Sequence, residues 1–118
     1  MKKFLAVVAV ALAVVVGQIA FPSAAEAYDY YIGSFNVSRA EGYVMTETIR
    51  RTSETSCEAR LKAVFPSGQV QYIYYYFTSD DHGIYFSNSD GNRGRVEYYR
   101  TPVEYNMYHY IMSNYRYW

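Results

Sequence analysis

Few residues of this 118-residue chain are of types that do chemistry, and their spacing decides what each could do. Cys57 is the single cysteine. A thiol becomes a nucleophile when a nearby histidine or cation lowers its pKa, and an unpaired cysteine in an exported protein can also cross-link two chains. Its setting favours neither role. Cys57, Ala59, Leu61, Ala63 and Phe65 alternate with Glu58, Arg60 and Lys62, Val64 being the one exception. That is the period-two pattern of a strand with one buried face. Cys57 is therefore expected inside, as a small inert hydrophobe.

Asp80-Asp81-His82 is the one acid–histidine cluster. Two carboxylates and an imidazole could ligate a metal or share a proton, as in a small hydrolase or metal-dependent enzyme. Adjacent residues rarely converge on one ion unaided, and Ser79 to Gly83 also reads as an ordinary polar turn. The second histidine, His109, falls on a predicted helix without a partner in the local sequence. Asn88-Ser89-Asp90-Gly91-Asn92 has the composition of a calcium loop, but the EF-hand pattern requires an acidic residue where Phe86 stands. A hairpin loop turning at Asp90-Gly91 accounts for it better. Asn36-Val37-Ser38 matches the N-glycosylation acceptor by chance. A phosphate-binding glycine loop, a CxxC pair, HExxH and GxSxG are all absent from the sequence. No catalytic residue, metal ligand or cofactor is expected.

The sixteen tyrosines are the remaining chemistry, and all lie between Tyr28 and Tyr117. Tyr72, Tyr74, Tyr75 and Tyr76 cluster on one segment, and the last third adds Tyr98, Tyr99, Tyr105, Tyr108, Tyr110, Tyr115 and Tyr117. Aromatic platforms stack on sugar rings or anchor a protein partner while losing little rotamer entropy. Against that stands an architectural need. Leu61 is the one leucine beyond position 27, so tyrosine rings must supply much of the core, hydroxyls reaching partners or water. The exposed remainder is expected at the chain end: Tyr115, Tyr117 and Trp118, with Arg116 beside them, form the candidate binding surface.

The elements that position these residues read as strands joined by short turns: Tyr30 to Phe35, Tyr43 to Arg50, Cys57 to Phe65, Gln69 to Thr78, Gly83 to Ser87 and Arg95 to Tyr99. Pro66-Ser67-Gly68 closes a hairpin in the middle. Val70, Tyr72, Tyr74 and Tyr76 line one face of the returning strand, and Ile73, Tyr75 and Phe77 line the other. A strand apolar on both faces is expected to be central. Thr101-Pro102-Val103-Glu104 announces a helix with a capping box, and Val103, Met107 and Ile111 share its inward face. The fold class is α+β: a small antiparallel meander of about five or six strands with a C-terminal helix packed on it.

Residues 1–27 have the composition of a secretory signal peptide: Lys2 and Lys3, an apolar run from Phe4 to Val16, breakers at Gly17, Gln18 and Pro22, then Ala25-Glu26-Ala27. The short positive start suggests a bacterial source. Residues 28–118 then form a single small globular domain, periplasmic or extracellular and free of the membrane once cleaved. They hold nine basic and ten acidic residues, a balance that gives nucleic acid no electrostatic purchase. The expectation is a non-catalytic binding or interaction module, its partner an envelope protein, peptide or glycan. The alternative is the small hydrolase or metal-dependent enzyme built on Asp80, Asp81 and His82. Oligomeric state is not legible.

Overall fold

The computed structural model describes residues 28–117; residues 1–27, where the sequence predicts a signal peptide, and Trp118 lie outside them. Seven strands follow in order: β1 (Asp29–Ser34), β2 (Glu41–Met45), β3 (Arg50–Ser53), β4 (Ser56–Val64), β5 (Val70–Asp80), β6 (Gly83–Asn88) and β7 (Arg93–Arg95). One helix, α1 (Pro102–Asn114), ends the fold. All pairings are antiparallel and form one sheet in the order β1-β2-β4-β5-β6-β7, with β3 also paired to β4. The α+β meander with its C-terminal helix is as the sequence predicts. Among the described residues, no helix is long and apolar enough to cross a membrane.

The β4–β5 hairpin pairs without slippage from Ser56↔Thr78 to Val64↔Val70. Its turn closes through Phe65 N–H to Gln69 O (2.9 Å) and Gly68 N–H to Phe65 O (2.8 Å). Gly68 holds φ +97°, which a side chain would strain. Cys57, Ala59, Leu61 and Ala63 on β4 and Ile73, Tyr75 and Phe77 on β5 are all buried on one face. There they meet Val103, Met107 and Ile111 of α1, also buried. Each such large apolar side chain contributes about 1.5–3 kcal/mol on leaving water. Cys57 takes the expected inside position.

Two strand predictions are corrected. Tyr43 to Arg50 is not continuous: β2 and β3 lie end to end along β4, separated by a 3-10 turn at Thr46–Thr48. The threonine hydroxyls cause the break. Thr46 Oγ1 donates to Tyr28 O (2.7 Å) and accepts from Tyr28 N–H (2.9 Å). Thr48 Oγ1 donates to Met45 O (2.7 Å) and accepts from Arg60 N–H (2.8 Å). Side-chain oxygens thus replace ladder bonds, and the backbone turns. Arg95 to Tyr99 is likewise not a strand, because β7 ends at Arg95. Thr101 Oγ1 accepts from Glu97 N–H (2.7 Å) and donates to Glu97 O (3.0 Å), curling the chain toward α1.

That engagement also removes the predicted capping box. The Thr101 side chain makes no cap hydrogen bond, and Glu104 turns inward instead. Strand β5 is central, but its second face is uncovered: Val70, Tyr72 and Tyr76 are exposed. Tyrosine satisfies the pattern of a buried strand and tolerates water equally well, so position was legible and cover was not.

Candidate functional site

The residues singled out in the sequence do not form one site. Asp80 ends β5, and its carboxylate accepts the His82 N–H at 2.8 Å, the hydrogen bond of an ordinary turn. Asp80, Asp81 and His82 are all exposed. His109 sits on α1 with its ring against Tyr105 (4.4 Å) and Tyr108 (5.3 Å) and lines a groove beside β1, not the turn. Among the described residues, no three His, Cys, Asp or Glu side chains are placed to hold a metal ion. The Asn88–Asn92 loop is a hairpin connection, its Asn88 Oδ1 accepting from Asp90 and Asn92 N–H at 3.0 Å each. Burial pushes the Cys57 thiol up to about 12, so it stays protonated and unreactive at neutral pH.

The chain end is anchored at Tyr115 and exposed at Arg116 and Tyr117. Arg51 Nη1 donates to Tyr115 O at 2.6 Å, and Tyr115 is half-buried with its ring 6.2 Å from Tyr110. Arg116 and Tyr117 are exposed and line a shallow groove with Arg51 and Glu54. Trp118 lies outside the described residues.

A larger aromatic surface was only half legible. Strand registers place Tyr31, Tyr43, Tyr72, Tyr74, Tyr76 and Tyr85 on the sheet face opposite α1, all but Tyr31, which faces Tyr43, directly across from charged residues. Lys62 faces Tyr72 and Tyr43, Arg60 faces Tyr74, Glu58 faces Tyr76, and Arg95 faces Tyr85. These neighbours hold the rings. Tyr74 donates to Glu58 Oε2 (3.1 Å) with its ring 5.2 Å from Tyr76, and Tyr43 donates to Glu41 Oε1 (3.2 Å). Burial first, then the Glu58 hydrogen bond, raises the Tyr74 hydroxyl above its ordinary 10.0, so it is a neutral donor. Between β5, β6 and β7 this face sinks into a groove of about 390 Å³ lined by Tyr76, Thr78, Tyr85, Ser87 and Arg93. Two tyrosines, two aliphatic hydroxyls and a guanidinium line it, together with Phe77 and Phe86. The alternation of Tyr72, Tyr74 and Tyr76 was the signal in the sequence; the contribution from β6 and β7 needed the register.

A second concavity, about 280 Å³, opens on the helix side of the sheet. Phe35, Phe65 and Phe86, all half-buried, and the buried Tyr75 supply its aromatic walls. Glu104, in the first turn of α1 and 7% exposed, lines it with Asp90, Asn88 and Gln71. The Tyr75 hydroxyl donates to Glu104 Oε2 at 2.6 Å. Burial, and next the Glu104 charge, push that hydroxyl far above its ordinary range. Sequence reasoning missed this pair by reading Glu104 as a cap.

Both concavities combine aromatic rings with a few polar groups, hydroxyls and a guanidinium in the first and amides and carboxylates in the second, which is chemistry of recognition. No protein-family model matches the chain, no curated protein matches its sequence, and no solved structure matches its fold.

Proposed function

We propose that the protein is an exported, non-catalytic binding module of the cell envelope or extracellular space, holding a glycan chain across its open tyrosine face. The groove of Tyr76, Thr78, Tyr85, Ser87 and Arg93 carries the reading. A pyranose ring presents an apolar C–H face and an equatorial belt of hydroxyls. Tyrosine rings match the first by stacking, while Thr78, Ser87 and Arg93 offer donors and acceptors to the second. The rows beyond the groove repeat the pairing of ring and charge, with Tyr74 opposite Arg60 and Tyr72 opposite Lys62. A chain of sugars would meet the same chemistry at successive rungs. Export is supported by the layout of residues 1–27. The alternative hydrolase built on Asp80, Asp81 and His82 draws no support from an exposed turn in which Asp80 is occupied by the His82 amide.

The test is a titration of the purified protein with chitotetraose, cellotetraose and maltotetraose, followed by amide chemical shifts. At least one should move signals of β5, β6 and β7. Tyr76→Ala and Tyr85→Ala should each weaken that binding about tenfold, the loss of one stacked aromatic anchor, with unfolding midpoints near the parent's. Shifts confined to α1, or none with any of the three, would remove the glycan reading.

A further inference from the structure

The cleft beside α1 is chemically unlike the open face, and what it would hold follows from its lining. Glu104 is more than nine-tenths buried, and a carboxylate taken out of water needs several compensating hydrogen bonds or a cation. It has one hydrogen-bond partner among the described residues, the Tyr75 hydroxyl. Its place in the first turn of α1 adds the favourable end of the helix dipole and no more. The compensation is therefore partial. Asp90 adds a second carboxylate on the exposed rim, where both oxygens accept from Gln71 Nε2 at 3.2 and 3.0 Å. No lysine, arginine or histidine lines the cavity.

The walls decide what kind of positive charge fits. Phe35, Phe65 and Phe86, each half-buried, present ring surface, with Phe86 backed by the buried Tyr75 ring at 5.8 Å. A bare metal ion gains little from rings and meets only two carboxylates here, Glu104 and the rim's Asp90, in keeping with the lack of any group of three metal-holding His, Cys, Asp or Glu among the described residues. An alkylammonium gains from both: its methyl or methylene groups pack on the rings, its charge is drawn to their faces, and the carboxylate lies at the inner end. A volume of 280 Å³ is at the small end of ligand pockets, which run from about 300 Å³ upward, and so matches a headgroup-sized molecule.

We propose that this cleft is a binding site for a small organic cation of the quaternary or alkylated ammonium class, with Glu104 as counter-ion and Phe35, Phe65 and Phe86 as the cage. The site opens on the opposite side of the sheet from the tyrosine face, with Phe86 lining both concavities, and its charge-dependent readout stands or falls independently of the glycan reading.

The experiment is an amide chemical-shift titration of the purified protein at constant ionic strength with three probes. Choline is the cation; 3,3-dimethyl-1-butanol is its uncharged isostere; phosphocholine carries the same cation next to phosphate. Choline should give saturable shifts at Phe35, Gln71, Asn88 and Glu104. The uncharged isostere should bind about tenfold more weakly, the loss of a desolvated cation–π and ion-pair attraction. Phosphocholine should also bind more weakly than choline, because its phosphate meets Glu104 and Asp90; this separates a free cation from a lipid headgroup as the source. Glu104→Gln keeps an acceptor for Tyr75 and should abolish the preference for choline over the isostere. If Glu104→Gln does not fold, Phe86→Leu serves instead, weakening choline and leaving the isostere unchanged. Equal binding of choline and the isostere overturns the proposal. So does phosphocholine binding as tightly as choline, or the absence of saturable shifts at about 10 mM choline, ten times a millimolar Kd.

Discussion

Tyr75 and Glu104 are joined by a 2.6 Å hydrogen bond that ties the middle of β5 to the first turn of α1 inside the protein. Both residues are buried, so the bond forms where the local dielectric is low and its loss is costly. The bond does structural work for the helix and sets the inner end of the cleft.

Tyr75→Phe should therefore destabilise the protein by about 1–3 kcal/mol, because it leaves a buried carboxylate without its hydroxyl. Glu104→Gln should cost less, and the two changes together should cost less than their sum. A double-mutant cycle by urea denaturation measures the coupling. Additive losses would mean the hydrogen bond contributes nothing.

Gly42 on β2 is fixed by packing. A Cβ there would lie 3.2 Å from Val103 Cγ1 and 3.4 Å from Leu61 Cδ1, both in the core. Gly42→Ala should cost about 1–3 kcal/mol by overpacking the contact between the sheet and α1. Combining it with Val103→Ala should recover part of the loss, which the same denaturation experiment reads. A neutral or stabilising Gly42→Ala would show that α1 shifts freely on the sheet.

How much of this was legible turns on the range of the signal. The β4–β5 hairpin could be read because alternation from Cys57 to Phe65 is local and the turn residues follow at once. Val103, Met107 and Ile111 could be read for the same reason. The break at Thr46–Thr48 could not, since its threonine hydroxyls engage distant backbone, Tyr28 eighteen residues from Thr46 and Arg60 twelve from Thr48. Glu104 carried a misleading local signal: its spacing from Thr101 is that of a capping box, while its partner lies twenty-nine residues earlier. The candidate surface at Tyr115, Arg116, Tyr117 and Trp118 came from composition, which does not tell an anchored tail from a displayed one. The open face required knowing that α1 covers one side of the sheet only.

Arg51 is the residue that anchors that tail. Its guanidinium donates to three carbonyls: Tyr115 (2.6 Å), Ser53 (3.2 Å) and Glu54 (2.9 Å). Its Nε is buried without a partner among the described residues. A lysine ammonium cannot span three carbonyls in one plane. Arg51→Lys should thus cost about 1–3 kcal/mol, the loss of two charge-assisted bonds offset by relief of the unpaired Nε. It should also raise the proteolytic sensitivity of the last residues. Limited carboxypeptidase digestion checks the second effect, and unchanged digestion would show that the tail is held by Tyr115 packing alone.

Alkaline pH should unfold the protein in two stages whose order follows from Cys57 and Tyr75. Burial raises the Cys57 thiol from its ordinary 9.0 to about 12; nearby Arg51 opposes the shift and Glu58 adds to it. Below pH 9 the thiol is protonated whether the chain is folded or not, and the stability tied to it is fully present. Between pH 9 and 12 the unfolded chain releases the proton while the folded one keeps it. Stability then falls with rising pH by about 1.4 kcal/mol per unit. Tyr75 acts with the same sign from its ordinary 10.0 upward, since burial and the Glu104 charge hold its hydroxyl protonated in the fold. The slope should accordingly steepen near pH 10. Urea denaturation at half-unit steps from pH 7 to 11 reads both stages. Cys57→Ala should flatten the curve between pH 9 and 10, and Tyr75→Phe should lessen the slope above 10 without changing its onset. Stability independent of pH up to 11 would mean that neither group is buried as the fold has it.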